Sequence, residues 1–521
     1  MQSLLSVILL LLLDTSFSWI RMFIALFFSI LISIFVGIYA ARSKRAGLVI
    51  IPVLDILQTL PILAFFPLVI YLVVATLPGY IGINASVIFL IITSMVWNIS
   101  FGVYESIVAL PKEIVEVAEL YKMRLAARLK KIYIPACMPR VVEQSILSWS
   151  IGLFYLVTSE VFSTGNANYA VKYGIGVALT KLAFSDNFVY YIIGIIIFII
   201  FVVLTRFLFF MPLERRVTRF NSEQQQKRAP SHIVSHRKVF PTISYIHMPS
   251  IVRRKKGLNR QKTVNNIGGI GTPRHKSAYY AGFFAVALLI IIYLFATEAY
   301  LRGYEATVLL ALAFSFVRVW IAFIIALAVA VPVSVYLVFM TKRSSAYLLI
   351  FQVIASIPAT VLLPVIVISL KQFPAHGELV AFIVFFLSGI WYILFSAVSN
   401  SKTLSKEIIE VKNIFGLKGA RAWKKVYISA LEPGIITGGI TAIAAEWNAS
   451  IVAEYFTTSG ISGTNVVSSV GIGIGKLLDV SLSNGNIVLM VTSLINLTVM
   501  IIIINTFLWK RMYRKVAAVN A

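Results

Sequence analysis

The chain of 521 residues is 59% hydrophobic, with a mean hydropathy of +0.91 and a formal net charge of +26. Soluble domains hold roughly 45–50% apolar residues, so this composition excludes a soluble globular protein and leaves a polytopic membrane protein. The single cysteine, Cys137, excludes an internal disulfide and any cysteine-cluster metal site.

Crossing a hydrocarbon core of about 30 Å as a helix takes about 20 apolar residues. In the first part of the chain, charge-poor runs of that kind cover 22–41, 56–77, 86–104, 144–159 and 187–205. The start, "MQSLLSVILLLLLDTSFSW", lacks the basic region and small-residue cleavage site of a signal peptide and reads as the outer extension of the first helix. Segment 214–276 then carries fifteen Lys/Arg against two acids. Further runs cover 277–297, 319–341, 344–370, 379–401, 433–453 and 486–508. The predicted fold is all-α with about eleven transmembrane helices, because lipid-facing backbone must satisfy its own hydrogen bonds and no run alternates as a barrel strand does. The basic segments 42–45, 112–140, 214–276, 342–343, 402–425 and 510–515 fall on one side of that topology. The positive-inside rule makes this side cytoplasmic, the amino terminus outer and the carboxyl terminus cytoplasmic. The charge therefore reports orientation. Segment 214–276 reads as a solvated linker near anionic lipid and not as a nucleic-acid surface, and its irregularly spaced His232, His236, His247 and His275 suggest no metal site.

The sequence repeats itself. "LPILAFFPLVI" at 60–70 returns as "IPATVLLPVIV" at 357–367, with Pro61 and Pro67 matched by Pro358 and Pro364 at an offset of 297. Arg21 and Arg318 share that offset, as do Gly-Ile-Gly triplets at 174–176 and 471–473. "EVAELYKMRLAARLKKIYIP" at 116–135 returns as "EVKNIFGLKGARAWKKVYIS" at 410–429. Both charged loops fall on the same side, so the repeats are parallel, related by an axis along the membrane normal. The domains are thus a first repeat over 1–213, a linker over 214–276 and a second repeat over 277–521, whose extra helix 277–297 returns the chain across the membrane.

Each charged loop reads as a short helix, a turn and a second helix, with acids early and bases late as the helix dipole favours. Exposed once per repeat, they form a pair of docking surfaces. They also carry a resemblance. Glu116, Val117 and Ala118, followed at the required spacing by Ile132, Ile134 and Pro135, resemble the "EAA" loop of permease subunits of binding-protein-dependent ABC importers; the second copy has Glu410, Gly416, Val426 and Ile428. The copies depart from the motif differently: Lys122 replaces its glycine in the first, Lys412 its second alanine and Ser429 its proline in the second. "LDILQTLPILAFFPLVI" and "LSWSIGLFYLVTSEVFSTGN" resemble the nitrate, sulfonate and bicarbonate branch. The resemblance implies both permease halves of an importer fused in one chain of a prokaryotic inner membrane. It implies two copies of an ATPase subunit on the loops, with ATP-Mg held there and no cofactor in this chain. It also implies an extracytoplasmic binding protein delivering a small anion.

The chain itself is not expected to hydrolyse ATP: "VGIGIGKLLD" at 470–479 has Val470 and Leu477 where a phosphate loop needs glycine and Ser/Thr. Charges inside the membrane are costly and face protein. Counting helical rise from the cytoplasmic ends places Arg21 level with Glu160, and Arg318 level with Glu454, near the outer face. These are predicted ion pairs bracing an outer gate. The helices carrying Pro61, Pro67, Pro358 and Pro364, each expected to be broken twice, and Glu446 are the pathway-lining candidates. The alternative, a secondary transporter or channel working without ATPase, calls for inverted repeats or ionisable midplane residues and finds only Glu446 in its favour.

Overall fold

The computed structural model describes residues 4–59, 61–77, 79–163, 171–184, 188–217, 303–341, 343–355, 357–401, 412–460 and 463–509. Apart from Gly303 they belong to one compact unit made of 1–231 and 304–521. Of the predicted linker 214–276, residues 214–217 continue the helix Phe188–Val217; its residues 218–276, the predicted helix 277–297 and Glu410 lie outside the described residues.

The protein is a multi-pass all-α membrane protein. Eight helices among the described residues are long and apolar enough to span a bilayer: Leu4–Arg42, Tyr80–Val108, Leu125–Glu160, Phe188–Val217, Glu305–Met340, His376–Ser399, Gly419–Glu454 and Ile487–Phe507. The elements of the first part are α1 (Leu4–Arg42), α2 (Lys44–Thr59), a 3-10 turn Ile62–Phe65, α3 (Phe66–Thr76), α4 (Tyr80–Val108), α5 (Lys112–Leu120), α6 (Leu125–Arg128), α7 (Ile134–Ser163), α8 (Ile175–Ala183) and α9 (Phe188–Leu204). After the linker come α10 (Glu305–Val335), α11 (Ser344–Ala355), α12 (Ala359–Leu370), α13 (His376–Ser401), α14 (Gly419–Ala422), α15 (Ile428–Glu454), α16 (Ile474–Ser483) and α17 (Ile487–Ile504). A two-stranded antiparallel hairpin, Tyr455–Gly460 with Gly463–Ser469, follows α15 and has no precursor in the sequence reading.

The crossings expected over 56–77 and 344–370 are each divided. Pro61 and Pro358 take extended ψ values of 93° and 140°, because proline supplies no N–H and disfavours helix in the residue before it. The second proline of each pair breaks nothing. Pro67 sits in the first turn of α3, where a missing N–H costs nothing, and Pro364 is carried inside α12. Each segment is therefore two short helices broken once, not a crossing broken twice.

Small residues let the long helices approach. Ser33 Oγ donates to the Val96 carbonyl across the α1–α4 contact at 3.0 Å. On α15, Cβ atoms added at Gly434 and Gly438 would collide with α13 backbone at Ser396–Ala397 and Tyr392–Ile393, the close approach that glycine permits between membrane helices.

The proline breaks sit where the two parts of the chain meet. The Leu63 N–H, left free by the break at Pro61, donates to Asn448 Oδ1 of α15 at 3.3 Å. Thr360, two residues beyond Pro358, lies 3.5 Å from Thr158 of α7, Oγ1 to Oγ1, and the Tyr191 hydroxyl donates to the Val361 carbonyl at 2.6 Å. Non-helical backbone at membrane depth is thus satisfied by protein, as a dry interior requires.

Candidate functional site

At the end of the bundle away from the basic loops, the structure brings Arg21 to Glu160 at 2.7 Å and Arg318 to Glu454 at 3.2 Å. Both glutamates are fully buried. Each belongs to a cage of donors. Ser18 Oγ donates to Glu160 Oε1 at 2.7 Å and accepts from the Ile175 N–H at 2.9 Å, while the Gly176 N–H donates to Glu160 Oε2 at 2.8 Å. The second cage repeats this atom for atom: Ser315 Oγ to Glu454 Oε1 at 2.6 Å, Ile474 N–H to Ser315 Oγ at 2.9 Å, Gly475 N–H to Glu454 Oε2 at 2.8 Å. Charge-assisted donors of both kinds, guanidinium and amide, make a buried carboxylate tenable. They also fasten the short helices α8 and α16 by their first turns.

The glycines explain themselves at this point. A Cβ at Gly174 would stand 2.6 Å from the Glu160 carboxyl carbon, one at Gly176 2.9 Å from Glu160 Cβ, and one at Gly473 would strike the Glu454 carboxylate. The structural counterpart of 174–176 is therefore 473–475, not 471–473: the loop after the glutamate is longer in the second part, so the offset grows from 294 at the glutamates to 299 at the glycines.

Each arginine has a further partner that sequence reasoning missed. Arg21 Nε donates to Asn84 Oδ1 at 2.7 Å, and Arg21 Nη2 to the Tyr173 carbonyl at 2.6 Å. Arg318 instead forms a fork with both Glu378 oxygens, through Nε and through Nη2, the latter at 2.7 Å. Asn84 and Glu378 are separated by the same 294 as the glutamates. The acid missing at Asn84 is replaced nearby by Asp14, whose Oδ1 accepts the Gly174 N–H at 3.0 Å; the position matching Asp14 at an offset of 297 is Ala311. Both clasps thus hold one arginine and two acids, assembled from different helices.

The pathway candidates do not stay together. Pro61, Pro358 and Pro364 are buried, the first two beside contacts between the two parts of the chain; the side chain of Pro67 lies outside the described residues. Glu446 is elsewhere, packed on Gly389 of α13. Two residues separate it from Asn448, about 200° around the helix, so it faces away from the contact with Leu63.

At the opposite end, the charged loops share one backbone form. α5 ends with the Met123 N–H on the Ala118 carbonyl at 3.0 Å, and the second loop with the Leu417 N–H on the Lys412 carbonyl at 3.0 Å. The residue enclosed by each closing bond has positive φ, 47° at Lys122 and 60° at Gly416. That is why the motif has glycine there. Just before it, Leu120 and Tyr121 are 84% and 78% exposed, and Ile414 and Phe415 are 79% and 71% exposed. Glu116 is exposed, Ala118 buried, and Ile132, Ile134 and Pro135 half-buried at the foot of α7; Val426 is buried and Ile428 exposed. Surrounding residues have exchanged roles: Arg42 lies over the Tyr133 ring, whereas Phe339 packs on Tyr427 and Lys412 supplies the cation. Lys122→Gly should stabilise the first turn by about 0.5–1 kcal/mol, and Gly416→Lys should cost the second at least as much. Hydrogen exchange reads this as slower exchange at Met123 in one variant and faster at Leu417 in the other.

Residues 29–219 match the family of binding-protein-dependent transport system inner membrane components. Relatives include the glycine betaine/proline betaine transport system permease protein ProW of Escherichia coli, 27% identical over 153 residues, 29% of this chain and 41% of ProW. They include SsuC of Bacillus subtilis, named for aliphatic sulfonates transport, 26% identical over 165 residues, 31% of this chain and 57% of SsuC. The bicarbonate transport system permease protein CmpB of Synechocystis is 29% identical over 114 residues, 22% of this chain and 39% of CmpB. The chain spans between about two-fifths and three-fifths of the length of these relatives. The first exposed loop and the Glu160 cage both lie inside the matched residues 29–219, so the part of the chain that carries them is similar to the inner membrane components of binding-protein-dependent transport systems.

Proposed function

We propose that the chain is the membrane-spanning subunit of an ATP-driven importer, with both halves of the pathway in one polypeptide: a first repeat over 1–213, the basic linker 214–276 and a second repeat over 277–521. The carrying observation is the pair of bare apolar tips, Leu120–Tyr121 and Ile414–Phe415, at matching positions of two loops with one backbone form. Large apolar side chains left almost wholly in water mark a surface that something covers. On this reading each tip seats one copy of a separate ATPase subunit that holds ATP-Mg. The loops and carboxyl terminus are cytoplasmic, the clasps lie at the outer face of an inner membrane, and a binding protein delivers substrate there. The clasps hold α8 and α16 against α12 and α3 of the opposite part, which makes them braces of an outer gate. A small anion is the favoured substrate class, in keeping with what SsuC and CmpB are named for.

The tips provide the test. Leu120→Asp with Tyr121→Asp, and Ile414→Asp with Phe415→Asp, should each remove most of the ATP-hydrolysing activity that co-purifies with the chain from native membranes. Insertion and monodispersity in detergent should be unchanged. Full recovery of that activity with all four substitutions would exclude docking at the tips and favour an ATPase-independent transporter.

A further inference from the structure

Glu446 is fully buried, and neither of its carboxylate oxygens has a hydrogen-bond partner among the described residues. Its position follows a ladder. Gly434, Gly438, Ala442 and Glu446 recur every four residues along one face of α15, and this face lies on α13. The first two rungs are glycines that let the helices touch. At the fourth, the small residue is on the other helix: a Cβ at Gly389 would overlap Glu446 Oε1. The first part of the chain fills the same rung in reverse. Gly152 stands at the position of Glu446 and Met95 at that of Gly389, and the Met95 methyl occupies the space a Cβ at Gly152 would need. Packing at this rung therefore requires only one large and one small residue. A carboxyl group is not needed to fill it.

An unpaired carboxylate in such a seam costs several kcal/mol, far more than the neutral acid. The titratable and charged groups on the packed elements offer no counter-charge. α13 contributes Tyr392, one turn from Gly389, with His376 and Glu378 at its far end; α10 contributes Glu305 and Arg318; α16 contributes Lys476 and Asp479. On α15 itself and its flanks are Glu454 and Tyr455 beyond it, and Glu432, Lys424 and Lys425 some 14 to 22 residues before it. The 3-10 turn Ile62–Phe65 contributes none. Arg318 is engaged by Glu378 and Glu454, and Lys476 by the carbonyls of Val470 and Gly471. A metal cation would need several oxygen ligands, and no cluster of three or more His, Cys, Asp or Glu exists among the described residues. One ligand fits a lone carboxylate between two helices in contact.

We propose that Glu446 is a proton-binding site: it carries one proton in this conformation, and its ionisation parts the α13–α15 seam of the second part of the chain. The seam is then a place where transport answers to pH, and the first part, with Met95 over Gly152, has no such response.

The full-length protein in lipid nanodiscs tests this through its thermal unfolding midpoint between pH 5 and pH 9, read by tryptophan fluorescence, with an infrared spectrum at each pH. The wild type should lose stability as pH rises, by a few degrees across the range, and show a protonated-carboxyl band that fades in step. Glu446→Gln should abolish that part of the slope and lack the band. Should the glutamine variant fail to fold, Glu446→Gly with Gly389→Met, which transplants the packing of the first part, is expected to fold and to show the flatter profile. A wild type without the band, or either variant unfolding with the wild-type slope, overturns the proposal.

Discussion

Arg21→Met should prevent accumulation of folded protein. The substitution takes from the buried Glu160 carboxylate the guanidinium that lies 2.7 Å from it, and the Ser18 hydroxyl and the Gly176 N–H are neutral donors that do not replace that charge. Removing one partner of a buried ion pair typically costs about 3–5 kcal/mol, against a total stability of only about 5–15 kcal/mol for an ordinary domain. The loss should appear as a collapsed monodisperse peak in detergent chromatography. Adding Glu160→Leu removes the stranded charge and should recover much of the peak. The reversed pair, Arg21→Glu with Glu160→Arg, should recover less, because the Gly176 N–H and the Ser18 hydroxyl, itself held by the Ile175 N–H, are donors aimed at an anion and would face a guanidinium. Equal recovery by the neutral and reversed pairs would mean that the amides do not discriminate and that the cage is merely an ion pair.

The glycines of the clasps supply the second large effect. Gly473→Ala places a methyl group against the Glu454 carboxylate, and Gly475→Ala one against the Ser450 carbonyl. Overpacking of this kind costs about 1–3 kcal/mol. Displacing the Gly475 N–H from Glu454 forfeits a hydrogen bond to a charged group, worth about 1.5–3 kcal/mol. Gly471→Ala meets nothing within 4 Å and should be neutral. Thermal denaturation of the three variants should therefore rank 471 far above the other two. A damaging Gly471→Ala beside a harmless Gly473→Ala would restore the register with constant offset.

Much of this architecture can be read in the residues, and its gaps have physical causes. Runs of apolar residues report crossings well, but they do not report where a chain stops being one helix; in 56–77 and 344–370 only the geometry around Pro61 and Pro358 shows that the break is single. The heights of Arg21 and Glu160 follow from counting helical rise, whereas Asn84, Asp14 and Glu378 are reached from other helices, and the angle at which those helices approach leaves no trace in the counting. A constant offset also hides insertions. "GIGIG" at 471–475 offers two Gly-Ile-Gly readings, and only contact with Glu454 distinguishes them. At Lys122 the local preference is overridden, since the closing bonds of the turn hold a lysine in a conformation suited to glycine.

The relocation of the second acid bears on whether the two parts are interchangeable. Most segments of similar helices could stand in either part of a fold this regular, but not the stretch that carries Asp14. An exchange that brings a stretch containing Asp14 into the second part would set three acids around Arg318, since Glu378 and Glu454 remain. The opposite exchange, Ala311 arriving opposite Asn84, would remove the acid at Asp14 from the first clasp and leave the Gly174 N–H without that acceptor. The placement of the second acid therefore makes the two parts non-interchangeable at this site, since each set of helices suits only its own carboxylates.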